Sequence, residues 1–211
     1  MSAGGSRLDL PHDIALFLTI LIITSLVVGS ITWVTLNPRP EEQFFALGIL
    51  GENMMAEHYY PRNESTILAG DLVKWHVTIY NHMGSVQYVV IRAKLLNQTT
   101  PPPDDMNHTA SAVPPFREIG RVLVDNETWT FPFDWSVEGT AWSNDSLRIT
   151  ALKLNNITVA QGLNTTARQG YNFRIVLELW TFSDQSVGAQ DQLGYFSYAN
   201  QTTFQFGWQS G

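Results

Sequence analysis

Residues 128–137 read Thr-Trp-Thr-Phe-Pro-Phe-Asp-Trp-Ser-Val, with an apolar or aromatic side chain at every odd position. Successive side chains of a β-strand point to opposite faces of its sheet. Pro132 cannot donate a backbone hydrogen bond, which indicates a sheet edge or a bulge at that position. The stretch therefore predicts a half-buried strand whose inward face is formed by Trp129, Phe131, Phe133, Trp135 and Val137.

The same alternation recurs through most of the chain beyond residue 43. Further strands are predicted at Phe44–Leu50, Val73–Ile79, Gln87–Leu96, Phe116–Val124, Leu147–Leu154, Asn172–Thr181 and Tyr195–Trp208. Eight or nine short strands with turn residues between them predict an all-β, antiparallel, immunoglobulin-like β-sandwich. The one-sided pattern argues against a parallel sheet, whose strands are apolar on both faces. Residues 97–115 contain five prolines, and we expect an exposed loop with too little apolar surface to become ordered.

A second kind of segment precedes the sandwich. Residues 14–36 contain no charge, no proline and no amide side chain, and roughly 20 such residues suffice for a helix to cross a bilayer. Asp13 could cap its first turn. A cleaved signal peptide, with Val28-Gly29-Ser30 as the cleavage site, is the alternative, but the apolar run continues past Ser30 and Arg7 is the only basic residue before it. The favoured division is a short cytoplasmic N-terminus at 1–13, a transmembrane helix at 14–36, a linker at 37–43 and an extracellular β-sandwich at 44–211.

Eight acceptor sequences for N-glycosylation support this orientation. Chance alone predicts about two in a chain with this content of Asn, Ser and Thr. All of them lie on the C-terminal side of the helix, which predicts a single-pass protein of the cell membrane with a glycosylated external domain. A merely Asn- and Thr-rich loop composition is the alternative. The acceptors are Asn63, Asn97, Asn107, Asn126, Asn144, Asn156, Asn164 and Asn200, and those at Asn97 and Asn107 are expected to be the most accessible.

The composition of the chain argues against several classes of function. Beyond residue 40 there are ten Lys and Arg residues against 17 Asp and Glu residues, which is unfavourable for nucleic acid, whose binding depends on cations that neutralise phosphates. The chain has no cysteine, so it has neither disulfides nor thiolate metal sites. No HExxH, GxSxG or phosphate-binding glycine loop is present. The carboxylate pairs Glu41-Glu42 and Asp104-Asp105 lie in solvated segments, so no enzymatic activity and no cofactor are predicted.

One part of the chain is similar to a known family. Phe44, Phe45, Leu47 and Gly48, followed by Gly51, Ala56, Tyr60-Pro61, Asn63 and Gly70, and then by Val77-x-Ile79-x-Asn81-His82, resemble domain of unknown function 1616 of archaeal membrane proteins. The Asn-containing strand end also resembles adhesion-type immunoglobulin-like modules. The resemblance covers about residues 42–96 and implies an extracytoplasmic β-sandwich in an archaeal envelope. Its motifs are structural and imply no catalytic residue.

Two minor hypotheses concern particular side chains. Methionine and histidine lie close together in the sequence around His58, His82 and Met83, and thioether with imidazole suits copper; ordinary surface and core roles are the favoured interpretation. In the helix, Ser25 and Gly29 lie four residues apart, a spacing that lets membrane helices approach closely, although such residues are also simply common there.

Two functions remain open from the sequence. The first is a structural or interaction protein of the cell envelope, in a surface assembly or in adhesion. The second is an accessory subunit of a larger membrane complex. In both, the partners are the membrane, N-linked glycans and other envelope or membrane proteins, contacted through the helix and the external domain.

Overall fold

A computed structural model of the chain describes residues 11–38, 42–104, 106–107, 109–160, 163, 165–183 and 195–209. The chain divides into two units, residues 1–41 and residues 42–211. The first contains helix α1 (His12–Leu36), and the second contains eleven strands and a short 3-10 helix at Pro61–Asn63. The strands are β1 (Phe44–Leu50), β2 (Thr66–Leu68), β3 (Val73–His82), β4 (Gln87–Leu96), β5 (Arg117–Leu123), β6 (Thr128–Ser143), β7 (Ser146–Leu154), β8 (Ile157–Val159), β9 (Thr165–Arg168), β10 (Phe173–Ser183) and β11 (Tyr195–Gln209).

Helix α1 is long and apolar enough to cross a membrane, and it is the only helix of that kind within the described residues. It begins at His12, and Asp13 lies inside its first turn without making a side-chain cap, so the predicted capping bond is absent. A carboxylate in the first turn still favours the helix through the helix dipole. Five hydroxyls bond the carbonyl four residues earlier in the same helix, among them Thr24 to Ile20 O at 2.8 Å. These hydroxyls are therefore satisfied without any partner helix.

The strands form two sheets. Sheet I has the order β1-β3-β6-β7-β8, with β9 also paired to β7, and sheet II has the order β2-β11-β10-β4-β5. All pairings are antiparallel except that of β2 with β11. The three short strands β2, β8 and β9 lie outside the eight or nine predicted, because segments of three or four residues are too short to show a period of two.

The topology is immunoglobulin-like. In sheet I, β1, β3 and β6 take the places of strands A, B and E, and in sheet II, β4, β10 and β11 take those of C, F and G. The fourth strand of sheet I differs, since β7 follows β6 in a hairpin, whereas strand D of the immunoglobulin fold precedes strand E. The predicted all-β sandwich preceded by one apolar helix is confirmed.

Aromatic side chains fill the space between the sheets. Trp75, Phe133, Trp135, Phe173 and Phe206 are at most 1% exposed, and the Trp135 ring lies 5.3 Å from Trp75 and 4.9 Å from Phe206. The inward face predicted for β6 is confirmed, because Phe133 and Trp135 are buried and the other three side chains pack partly buried against the same core. Such aromatic contacts supply the stability that a domain without disulfides requires.

Pro132 illustrates how β6 accommodates a proline. It pairs with His76 of β3 on one side, while the β6–β7 pairing begins only at Trp135. Asn155 fills the gap: its Nδ2 donates to Pro132 O at 2.9 Å and its Oδ1 accepts from Asp134 N at 2.8 Å. The missing N–H therefore falls where β6 has no second partner strand. The bulge is elsewhere, around Gly139.

Candidate functional site: the outer face of sheet II

The outer face of sheet II, turned away from the core, carries a buried ion pair and a group of exposed apolar side chains. On β4 and β10 the alternate residues that do not enter the core are Val90, Arg92 and Lys94, and Val176, Glu178 and Trp180. The strand register places Glu178 opposite Arg92 and Trp180 opposite Val90. Two parts of this face differ in character: one is covered by a loop and the other is exposed.

The first part holds a buried ion pair. Glu178 is fully buried and Lys94 is 4% exposed, and Lys94 Nζ lies 2.7 Å from Glu178 Oε2. Glu178 also accepts hydrogen bonds from Ser111 N at 2.8 Å and from Trp180 Nε1 at 3.0 Å, while Lys94 Nζ donates to Ser111 O at 2.6 Å. Charges removed from water in this way are tolerated only when their remaining hydrogen-bonding capacity is also used.

Residues 97–115, called the strap below, cover this ion pair. The prediction that this segment stays unordered is wrong: Ser111 and Pro103 are buried, and Arg174 donates to the carbonyl oxygens of Asn97 at 2.6 Å and Thr100 at 2.7 Å. The small number of apolar side chains in the strap did not indicate that it is ordered, because the strap is attached mainly through its backbone to charged side chains of the sheet. Its Asp104 carboxylate accepts from the Asn107 side chain at 2.6 Å, which holds the pKa of Asp104 below its usual value.

The second part of the face is not covered by the strap. The side chains that we call the apolar patch are between 42% and 61% exposed; they are Val86, Tyr88, Val122, Val124 and Phe182. Tyr88 pairs with Val122 across β4 and β5, and Phe182 follows Thr181, which pairs with Val89. These pairings make the patch contiguous. Contiguous apolar surface of this kind marks interaction sites more often than isolated exposed residues do.

Two features fix the shape of the apolar patch. A Cβ added to Gly120 would lie 2.6 Å from the Tyr88 hydroxyl, so the tyrosine lies across Gly120, and a side chain at that position would displace it. The Arg92 guanidinium lies 4.2 Å from the Trp180 ring centroid, and its Nε donates to Glu118 Oε1 at 2.7 Å. The guanidinium is thus held over the indole by both a cation–π contact and an ion pair.

Four of the described glycosylation acceptors have the left-handed backbone of tight turns. Asn63, Asn126, Asn144 and Asn156 are exposed and have φ between 52° and 69°, a left-handed conformation that Asn adopts more readily than most residues. Turn geometry therefore explains asparagine at these four positions independently of glycosylation. Asn107 is exposed in the strap, Asn164 lies outside the described residues, and Asn200 lies within β11.

Asn97 differs from the other acceptors. It is half-buried, its Nδ2 donates to Thr166 O at 2.8 Å, and its Oδ1 accepts from the backbone and hydroxyl groups of Thr99 and Thr100. Its side chain therefore fastens the start of the strap to β9. The assumption that Asn97 lies in a fully exposed loop is wrong, whereas its glycosylation stays a prediction.

The proposed copper ligands do not come together. His58 lies in the loop that closes on Gly51 beside His76, whereas His82 and Met83 lie at the other end of β3, six residues or roughly 20 Å further along the strand. His82 Nδ1 lies 2.7 Å from Asn126 Oδ1, and its ring stacks on Tyr80. The described residues contain no group of three or more His, Asp or Glu side chains placed for a metal.

Asn81 has a structural role that was not predicted from the sequence. Asn81 is fully buried, its Nδ2 lies 2.9–3.2 Å from the carbonyl oxygens of Ser85, Leu123 and Val124, and its Oδ1 accepts from Met83 N. It joins the β3–β4 turn to the end of β5, beside the apolar patch. An Asn at an inward position of an alternating strand was the available signal, because a buried amide requires several partners.

No protein-family model matches the chain, and no curated protein matches it. Among solved structures, it is similar to a CARDB domain from Pyrococcus furiosus, solved in complex with di-metal ions, at 9% identity and a TM-score of 0.35 over 80% of this chain and 90% of that one. A β-glucosidase from Listeria innocua matches at 12% identity and a TM-score of 0.37, over 80% of this chain and only 16% of the enzyme. At these scores neither likeness transfers a residue, a ligand or an activity to this chain.

Proposed function

We propose that the chain is a single-pass, N-glycosylated protein of the cell membrane whose external β-sandwich has a structural or interaction role in the cell envelope. The observation that carries the proposal is the apolar patch, a contiguous exposed surface presented by a rigid sheet. A soluble monomer would gain nothing from exposing Tyr88, Phe182 and three valines together, since each exposed apolar side chain lowers solubility.

The chemistry of the patch favours a protein partner. Tyr, Trp and Arg are enriched at the energetically dominant positions of protein interfaces; Tyr88 belongs to the patch, and Trp180 and Arg92 lie on the same outer face of β4 and β10. Arg92 is already paired with Glu118, so this part of the surface offers little unbalanced charge for lipid headgroups or phosphates. A predominantly apolar protein surface with a polar rim would complement it.

The membrane setting rests on α1 and on the distribution of acceptor sequences. A retained helix with all eight sequons on its C-terminal side would place residues 44–211 outside the cell. The resemblance of residues 42–96 to an archaeal membrane-anchored family supports an archaeal envelope. A non-enzymatic role is part of the proposal: of the two carboxylate pairs in the sequence, Asp104 is exposed and is held in a turn by Asn107.

The test is native purification of the full-length protein in mild detergent, with mass spectrometry of the co-purifying chains. We expect Val122→Glu to abolish recovery of the partner, because it places a charge in the centre of the patch. Ile157→Glu is the matched control, since Ile157 has the same exposure, 56%, but lies on β8 of sheet I. Equal recovery of the same partners with both variants would refute the patch as the interface.

The identity of the recovered chain separates the two interpretations. Further copies of this chain or other single-pass surface proteins would support an envelope assembly. A multi-pass membrane enzyme at fixed stoichiometry would make the chain an accessory subunit instead.

A further inference from the structure

A groove at one end of the sandwich has a composition unlike that of the apolar patch. It is formed where the end of β4 and the start of the strap meet β9 and the β9–β10 turn, and its volume is about 450 Å³. This is within the usual range for small-ligand sites, roughly 300–1,000 Å³. The side chains that give it its chemistry are Asn97, Gln98, Thr99, Arg168, Tyr171 and Asn172.

Tyr171 forms a fixed aromatic surface at this groove. Tyr171 is 43% exposed, and its ring lies against the backbone of Gly207, where an added Cβ would be 3.0 Å from Tyr171 Cδ1 and 3.6 Å from Cε1. A side chain at position 207 would press against the Tyr171 ring, which would have to shift by a few tenths of an ångström. One part of the ring is therefore held by the fold while another part is accessible, as in a stacking platform.

The turn that presents Tyr171 is conformationally demanding. Gln169, Gly170 and Asn172 have φ of 53°, 76° and 63°, and a left-handed Gln carries a cost that Gly and Asn largely avoid. The turn is kept in place by Gln169 N, which donates to Asp145 O at 2.8 Å, and by Tyr171 N, which donates to Arg168 O at 3.1 Å. The aromatic platform is thus preorganised, which lowers the entropic cost of binding.

The remaining wall consists of uncharged amides. Asn97 Nδ2 donates to Thr166 O at 2.8 Å, and Asn172 Nδ2 donates to Gln98 Oε1 at 3.2 Å. The cation of the described lining, Arg168, is matched by Asp145, whose Oδ2 lies 2.9 Å from Arg168 Nε. Within the described lining, the charge of Arg168 is therefore balanced by Asp145, and Gln98 and Thr99 add an amide and a hydroxyl to a polar wall.

We propose that this groove binds a neutral oligosaccharide. Sugar hydroxyls both donate and accept, as side-chain amides do, and the apolar C–H face of a pyranose ring can lie on the accessible part of Tyr171. Two sources share this chemistry: a free or wall-bound polysaccharide, and N-glycans carried by neighbouring copies of this chain. The second source would deepen the proposed envelope role and rests on it, whereas the first does not.

The experiment uses the full-length protein in detergent and two sets of probes. One set is an array of neutral glucan, mannan and galactan oligosaccharides, and the other is the oligosaccharides released by hydrazinolysis from the purified native protein. Binding to the array alone identifies a free or wall polysaccharide, and binding to the released glycans identifies the chain's own modification. Absence of binding to both sets overturns the proposal and leaves the apolar patch and its co-purification test unaffected.

Variants then locate the site by isothermal titration with the best probe. Tyr171→Ala should weaken binding roughly tenfold, because the stacking surface is lost, while Tyr171→Phe should stay within about threefold of the parent, because the ring remains. Gln98→Ala, at an exposed strap position, should also weaken binding, because it removes an amide of the groove wall and the acceptor of Asn172 Nδ2 in the Tyr171 turn. Tyr88→Ala is the matched control, with 42% exposure on the apolar patch. Unchanged affinity in both Tyr171→Ala and Gln98→Ala would overturn the assignment.

Discussion

The buried Lys94–Glu178 pair offers a direct test of how the strap is held. Glu178→Gln preserves the size of the side chain and an acceptor for Ser111 N, but it removes the negative charge opposite Lys94. Lys94, at 4% exposure, would then have Ser111 O at 2.6 Å as its remaining acceptor among the contacts described. Removing one member of a buried ion pair leaves an uncompensated charge, whose cost exceeds that of a lost hydrogen bond.

The expected loss in the free energy of unfolding is about 3–5 kcal/mol. For a domain of this size, 1 kcal/mol corresponds to roughly 2–4 °C, so the Tm of the sandwich should fall by roughly 6–20 °C. Lys94→Met combined with Glu178→Gln removes both charges, and we expect the double variant to recover at least half of that loss. The difference between the single and double variants measures the coupling of the pair.

The assay is urea and thermal unfolding of the full-length protein in detergent, followed by tryptophan fluorescence. Glu138→Gln provides the control, because Glu138 and Lys153 are both 39% exposed and 3.8 Å apart, and such surface pairs contribute at most about 1 kcal/mol. The strap should also become a site of limited proteolysis near Met106 in the single variant. A loss below about 1 kcal/mol for Glu178→Gln, or no recovery in the double variant, would refute the reasoning.

Four further results are expected. Trp135→Ala should cost about 3–5 kcal/mol, because a side chain 1% exposed leaves a large cavity; a urea-unfolding loss under about 1 kcal/mol would contradict the described core. The Arg62 guanidinium, bonded to Asp71 at 2.6 Å and 2.9 Å, holds the pKa of Asp71 below its usual value. The ionised Asp71 therefore stabilises the folded state above about pH 4, and this contribution is lost as the pH falls through the lowered pKa. Asp71→Asn should flatten that part of the pH–stability curve, and an unchanged acid slope in urea unfolding would argue against the pair. Gly29→Leu should reduce the recovery of co-purifying chains while membrane insertion and the ectodomain fold stay intact, because it fills the notch beside Ser25; unchanged recovery would make α1 an anchor only. Glycopeptide mass spectrometry should find glycans at the exposed acceptors, and an intact mass equal to the bare polypeptide would exclude them; these acceptors are Asn63, Asn107, Asn126, Asn144 and Asn156.

Most of the fold was predictable because burial on one face leaves a period of two in the sequence. Phe44–Leu50 and Gln87–Leu96 were predicted with the bounds that β1 and β4 have, and the aromatic face of β6 was assigned correctly. The apolar run at 14–36 required no tertiary information, since every residue of α1 is exposed and its composition alone defines its environment. Local patterns of this kind are properties of one segment.

The partner of each strand and the segment that covers each sheet face depend on the tertiary structure. The β3–β6 pairing joins residues about fifty positions apart, and no local pattern specifies such a partner. Glu178 and Lys94 occupy the outward positions of alternating strands, where the sequence predicts solvent, and they are buried only because the strap crosses that face. The groove at Tyr171 likewise depends on Gly207, 36 residues further along the chain. The side of each strand that avoids water follows from the side chains of that strand alone and was therefore predictable. The covering of an outer face depends on contacts between distant segments and becomes visible only in the folded chain.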